Sequence, residues 1–209
     1  MRYFDLISKL KKNKLAIFSL GDIENLFPKE KLKTLKNNLS RWVKTGQLLK
    51  LKRNLYEFVE PGLESNIPDV YVGNKLYSPS YISLETALSI YGLIPGIAAQ
   101  VTSVTTRPTR EFKNKYGYFF YRSCQKRAFS GYKLMQYEGF KIFIADREKA
   151  LVDFIYFAVR RIDSLNFDEE RFNKDILKKL DWGKVSKYSK FFNNKTVFAL
   201  EKLRRWNRC

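Results

Sequence analysis

The sequence predicts an α+β protein with two domains, and three observations favour this fold class. A basic helical segment ends at Gly46 and is followed at once by a short segment in which Leu and Lys alternate, which is typical of a winged helix-turn-helix domain over residues 1–60. A cluster of Pro, Gly and Asn residues then predicts a linker over residues 61–76. Beyond it, residues 77–209 predict a second α+β domain with a small antiparallel sheet and a helical C-terminal tail.

The first domain is expected to contain three helices and a hairpin. Apolar residues at helical spacing predict a first helix within Arg2–Lys12. Ser19 is a suitable N-cap for a second helix over Leu20–Leu26, and Pro28 precedes the third helix. The hairpin QLLKLKRNLYEFV has Asn54 at its tip, where Asn tolerates a positive φ.

The third helix, KEKLKTLKNNLSRWVKTG, carries different residue types on its two sides. One side of the helical wheel is apolar and is expected to be buried; it consists of Leu32, Leu35, Leu39, Trp42 and Val43. The opposite side is polar and basic; it consists of Lys33, Asn37, Ser40, Arg41 and Lys44. Trp42, like Tyr56 of the hairpin, lies on the apolar side and is expected in the core.

The polar side of this helix and the hairpin predict contacts with duplex DNA. Arg41 is suited to guanine and Asn37 or Asn38 to adenine, whereas Lys33 and Lys44 are suited to phosphates. Backbone or minor-groove contacts are expected from the hairpin residues Lys50, Lys52 and Arg53. The alternative is that both surfaces are simply solvated, as Lys-rich helix faces usually are. We favour DNA because the basic helix, the glycine stop and the basic hairpin occur together.

Composition favours a binding protein for phosphate polymers. The 209 residues contain 40 Lys and Arg against 21 Asp and Glu, which gives a net charge of +19 concentrated in residues 1–60 and 123–209. No apolar stretch approaches the ~18 residues of a membrane-spanning helix, and the N-terminus lacks signal-peptide features. Two Cys and no His make a disulfide framework or a zinc site unexpected. We therefore expect a cytoplasmic protein without metal or cofactor.

The second domain is expected to contain paired strands followed by helices. Its predicted elements are a helix over Tyr81–Tyr91, strands over Val101–Arg107 and Tyr116–Arg122, a hairpin of Tyr132–Tyr137 and Phe140–Ala145 turning at Glu138-Gly139, a helix from Arg147 capped by Asp146, and two or three helices over Asp168–Arg208.

Two clusters in this domain are candidate sites. The segment TTRPTREF places Thr106, Arg107, Thr109 and Arg110 after a strand, where hydroxyls and guanidiniums can hold a phosphate or an RNA backbone; the alternative is a solvated hairpin loop. A second cluster is acidic and suggests a metal-dependent nuclease; it consists of Asp146, Glu148, Lys149 and Asp153. We interpret it instead as a helix cap with exposed first-turn charges, and we expect no catalytic residues.

Two stretches of the second domain resemble the AbiEi-like antitoxins of bacterial abortive-infection systems: YISLETALSIYGLIPGIAAQVTSVTTRPTREFKNKYGYFFYR and FIADREKALVDFIYF. In the first domain, LSRWVKTGQLLKLKRNLY resembles the winged-helix segment of that family, with Asn54 where many members have Gly. The likeness covers roughly residues 1–160.

The resemblance implies two activities. The N-terminal domain would bind inverted repeats in its own promoter and repress a bicistronic operon. The C-terminal domain would oppose a nucleotidyltransferase-like toxin encoded next door, without a stable complex between the two proteins. Two alternatives stay open: a winged-helix transcriptional regulator with no toxin partner, and a nucleic-acid-processing enzyme.

Overall fold

A computed structural model of the chain describes residues 1–59, 66–96, 98–160 and 165–207. It is a mixed α+β protein whose chain divides into two compact units, Met1–Pro68 and Asp69–Cys209. The linker expected over residues 61–76 is wrong in its second half, because Asp69–Leu76 forms a helix whose apolar side is buried in the second unit. Within the remainder of that prediction, residues 66–68 form neither helix nor strand, and residues 61–65 lie outside the described residues.

The first unit combines three helices with a three-stranded antiparallel sheet in the order β1-β3-β2. Its elements are α1 (Tyr3–Lys12), β1 (Ile17–Ser19), α2 (Leu20–Leu26), α3 (Leu32–Lys44), β2 (Leu48–Lys52) and β3 (Leu55–Phe58). The sequence analysis did not predict β1, since three residues are too few for a periodic pattern. Its pairing with β3, in which Phe18 lies opposite Tyr56, depends on residues almost forty positions away.

Local signals in the sequence set the ends of these elements. The Ser19 hydroxyl accepts a hydrogen bond from the Asp22 backbone N–H at 3.1 Å, and the Asp22 carboxylate accepts one from the Ser19 backbone N–H at 2.7 Å. Gly46 follows α3 with a φ of +74°, and Asn54 turns the hairpin with a φ of +62°. The predictions made for Ser19, Gly46 and Asn54 are therefore confirmed.

The core of the first unit lies between the helices and the sheet. Leu35, Leu39 and Trp42 of α3 are buried against α1 and α2, as predicted. Leu32 is not, because it is the first residue of the helix and its side chain is 42% exposed. Tyr56 is buried and stacks on Phe18 at a ring-centroid distance of 5.9 Å. One side of α3 is thus fixed in the core, and the other side faces outward.

The second unit is built on a six-stranded sheet in the order β6-β7-β5-β4-β9-β8. Its strands are β4 (Ser80–Ile82), β5 (Val101–Thr105), β6 (Arg110–Asn114), β7 (Gly117–Ser123), β8 (Tyr132–Tyr137) and β9 (Phe140–Ala145). Its helices are α4 (Asp69–Leu76), α5 (Leu84–Ile90), α6 (Arg147–Ala158), α7 (Lys174–Lys178), α8 (Trp182–Ser189) and α9 (Asn194–Trp206), with a short 3-10 turn at Lys126–Ala128.

The sheet is larger than the small antiparallel sheet expected here, and it is mixed, with three antiparallel and two parallel strand pairings. β5 and β7 are neighbours as predicted, but they run parallel, because β6 lies between them in the chain and forms an antiparallel hairpin with β7. β4 also runs parallel to β9. The hairpin of β8 and β9 with its turn at Glu138-Gly139 is confirmed.

The sheet lies between helices. α4 packs on one face, where the Tyr121 hydroxyl donates to the Gly73 carbonyl at 2.6 Å. On the other face, α5 and α6 pack against each other, and Tyr81 of β4 reaches α6. In the described parts of the chain, we find no helix with the length and apolar character needed to cross a membrane.

Candidate nucleic-acid interface

The outward side of α3 carries an exposed row of polar and basic side chains. Lys33, Asn37, Arg41 and Lys44 are all exposed and recur at helical spacing. The 13-residue helix is about 20 Å long, so the row can follow the floor of a DNA major groove. The Arg41 guanidinium lies 5.8 Å from the Trp42 ring centroid, which positions it at the edge of the buried side.

Asn38 does not belong to this row. Its side chain is half-buried, and its amide donates a hydrogen bond to the Met1 carbonyl at 3.3 Å. The Met1 ammonium in turn contacts the Glu30 carboxylate. The sequence left open whether Asn37 or Asn38 contacts a base. In the structure, Asn37 lies in the exposed row, whereas Asn38 forms a hydrogen bond with the N-terminal residue.

The hairpin adds basic side chains next to α3. Lys50 and Arg53 are exposed and Lys52 is half-buried. The predicted alternation of Leu and Lys is seen in the burial of these residues, but the pairing of β2 with β3 shifts register between Lys50 and Lys52, which indicates a bulge that was not predicted. Leu51 is therefore buried while the basic residues around it reach solvent.

All the charged residues of α3 and the hairpin turn are positive. The 26 residues from Lys31 to Tyr56 contain eight Lys and Arg and no Asp or Glu. Two carboxylates of the unit have local partners: Asp22 caps α2, and hydrogen bonds from Arg2 hold the pKa of Asp5 below its ordinary value. The exposed charges of Lys33, Arg41 and Lys44 thus give the outward side of α3 a positive surface.

In the second unit, the four residues predicted as an anion-binding loop lie between β5 and β6 and at the first position of β6. Arg107 and Arg110 are exposed and lie over neighbouring rings, Arg107 at 5.4 Å from Tyr77 and Arg110 at 5.3 Å from Phe112. Arg110 is the first residue of β6 and not a loop residue, which corrects the prediction.

The two threonines of this segment are placed differently. Thr106 is half-buried beside Thr105, whose hydroxyl accepts from the Arg107 backbone N–H at 3.1 Å. The Thr109 hydroxyl accepts from the Ser123 backbone N–H at 3.2 Å. The two guanidiniums therefore lie over two neighbouring aromatic rings, and the Thr109 hydroxyl accepts its hydrogen bond from the last residue of β7.

The acidic cluster of α6 is buried, which overturns our expectation of exposed first-turn charges. Glu148, Lys149 and Asp153 are each at most 9% exposed, and Lys149 forms an ion pair with Asp153. The hydroxyls of Tyr81 and Ser83 donate to Asp153 at 3.0 and 2.9 Å. Burial raises the pKa of Asp153, and the Lys149 ammonium and these hydroxyls oppose that rise.

A signal for this burial is present in the sequence. From Lys149 to Ile155 the only polar residues are Lys149 and Asp153, and every other position is apolar, so α6 has no broad polar side over this stretch. A helix that is apolar all round is buried. The carboxylates at the start of α6 have structural partners as well: Asp146 accepts from the Lys149 backbone N–H and the Tyr188 hydroxyl, and Glu148 accepts from the Asp181 backbone N–H.

The described residues include no group of three or more His, Cys, Asp or Glu side chains that could hold a metal ion. The thiol of Cys124 is buried, and this burial raises its pKa to about 11, so it is protonated near neutral pH.

Comparison with known proteins adds no assignment. The chain matches none of the models of protein families with which it was compared. It also matches no curated protein sequence.

Proposed function

We propose that this protein binds duplex DNA as a winged helix-turn-helix regulator and represses its own operon. The observation that carries the proposal is the row of Lys33, Asn37, Arg41 and Lys44 on the exposed side of α3, next to the basic hairpin of β2 and β3. In this arrangement α3 enters the major groove, and Lys50 and Arg53 approach the flanking backbone.

Two physical points support this proposal over a merely solvated surface. A solvated helix face usually mixes charges of both signs, whereas Lys31–Tyr56 has only positive ones. The opposite side of α3 is held by buried Leu35, Leu39 and Trp42, so the exposed row is presented on a rigid element. Recognition of a base edge needs such fixed geometry.

The proposal extends to antitoxicity through the resemblance of the second unit to AbiEi-like antitoxins. In this role the protein opposes a nucleotidyltransferase-like toxin encoded by the adjacent gene, without forming a stable complex with it. The exposed guanidiniums of Arg107 and Arg110 are its best candidates for contact with an anionic partner.

DNA binding by the full chain is expected to depend steeply on salt. Each lysine or arginine that contacts a phosphate releases about one counterion, so six to ten contacts weaken binding by about 10³–10⁵-fold between 50 and 200 mM salt. A mobility-shift titration with the protein's own promoter region measures this change. Equal affinity at both salt concentrations would exclude phosphate contacts as the basis of binding.

Reversing the charge of Arg107 and Arg110 together, as Arg107→Glu with Arg110→Glu, is expected to reduce the protection of cells that express the toxin. Folding should persist, because both side chains are exposed and each loses only a contact with an aromatic ring worth about 0.5–1 kcal/mol. Growth rescue is the measurement, with circular dichroism of each variant.

The matched control reverses Lys113 and Lys115, which lie over Tyr118 and Tyr116 at the turn between β6 and β7. This variant makes the same change in net charge and is expected to protect fully. Full protection by a folded Arg107/Arg110 variant would remove these residues from the antitoxin mechanism.

A further inference from the structure

A cavity of about 900 Å³ lies in the second unit between the sheet and the C-terminal half of α6. Thr102 of β5 and Arg122 of β7 contribute to one wall, and Glu85 of α5 and Phe157 of α6 contribute to others. Its volume falls within the range of about 300–1,000 Å³ that small-molecule sites occupy.

Charged side chains of both signs line this cavity without neutralising one another. Arg122 and Arg160 contribute guanidiniums, and Glu85 and Glu170 contribute carboxylates. The ion pairs found within the described ranges include none of these four residues. Among the residues that the structure describes, Arg160 contacts Tyr156, through a hydrogen bond to its hydroxyl at 3.2 Å and a contact with its ring. These charges are therefore left for a ligand.

Glu85 also carries a buried oxygen atom, Oε2, that has no hydrogen-bond partner among the described residues. Buried polar atoms without a partner are rare in folded proteins, and a ligand that donates to them is one cause. The pKa of Glu170 is raised, mainly by burial and next by the negative charge of Glu85. The two carboxylates are therefore close enough to interact. The carboxylates thus form a region of hydrogen-bond acceptors.

We propose that this cavity binds a nucleoside phosphate. The guanidiniums of Arg122 and Arg160 suit phosphate oxygens, and the carboxylates of Glu85 and Glu170 accept hydrogen bonds from ribose hydroxyls or a base amino group. Phe157 offers an aromatic ring next to them for the base. Inorganic phosphate would leave the carboxylates unpaired, and a nucleoside without phosphate would leave the guanidiniums unpaired.

All of these residues belong to the second unit, so the inference does not rest on DNA binding by the first unit. It also differs from the contact assigned to Arg107 and Arg110. Those two guanidiniums lie over Tyr77 and Phe112 outside the cavity wall.

Calorimetric titration of the full chain with AMP tests the proposal, and one bound AMP per chain is expected. Arg122→Gln is expected to weaken AMP binding by about tenfold or more, because a charge-assisted hydrogen bond to phosphate is lost. Glu85→Gln is expected to weaken binding as well. Arg160→Gln, at an exposed position, provides a second test that does not depend on whether the Arg122 variant folds.

Two matched controls separate this site from other basic surfaces. Arg147→Gln removes an exposed arginine from the opposite end of α6, and Arg41→Gln removes one from α3; both are expected to leave AMP affinity unchanged. The absence of binding at millimolar AMP, or loss of binding in Arg41→Gln alone, would overturn the proposal. Equal affinities for AMP and inorganic phosphate would overturn the nucleoside contacts, and equal affinities for AMP and adenosine would overturn the arginine contacts.

Discussion

Replacing Asp153 with Ala is expected to lower the free energy of unfolding by about 3–5 kcal/mol, because removal of one partner of a buried ion pair leaves the other charge uncompensated. Lys149 is 1% exposed and has no route to water in the folded state. The hydroxyls of Tyr81 and Ser83 lose their acceptor at the same time. Urea denaturation followed by circular dichroism measures the change.

An exposed ion pair within another helix provides a control for the buried pair of Lys149 and Asp153. Asp175 lies 3.8 Å from Lys178 in α7, but both side chains are exposed, so Asp175→Ala is expected to cost less than about 1 kcal/mol. Lys149→Met combined with Asp153→Leu is expected to recover part of the loss, because apolar side chains replace both charges. An equal effect of Asp153→Ala and Asp175→Ala would contradict the role assigned to the buried pair.

The second large effect is expected on the affinity of the protein for DNA. Replacing Lys33, Arg41 and Lys44 together with Gln should weaken binding to the promoter region by at least about 100-fold, since each basic contact contributes about 1 kcal/mol or more. The three side chains are exposed, so the fold should be unaffected. Mobility shift on the promoter and on an unrelated duplex measures the loss and its dependence on sequence.

A control variant with the same net charge tests whether DNA binding depends on the position of the basic residues or only on their number. Lys12, Lys14 and Lys29 are exposed in the same unit but lie outside α3 and the hairpin, and their replacement with Gln removes three charges as well. We expect less than about a threefold effect, since these side chains do not belong to the exposed row of α3, and salt at physiological concentration screens charges that make no contact with the DNA. Comparable losses in both variants would show that binding follows net charge and not the α3 surface.

The sequence alone determined the features that depend on neighbours within a few positions. Ser19 and Asp22 are three residues apart and form the cap of α2, and Gly46 and Asn54 take the positive φ that their turns require. The periodic pattern of α3 separated its buried side from its exposed side except at Leu32, the first residue of the helix. These signals are readable because a helix turn or a tight turn is completed by adjacent residues.

Only the tertiary structure decided the features that join distant parts of the chain. Tyr81 and Asp153 are 72 positions apart, so no local pattern revealed that the Tyr81 hydroxyl is a hydrogen-bond partner of the buried Asp153. The parallel pairing of β5 with β7 also joins segments that are separated in the chain. The same is true of the hydrogen bond from Asn38 to Met1. Strand order, burial and the choice between two adjacent asparagines depend on which surfaces meet, and those surfaces exist only once the chain has folded.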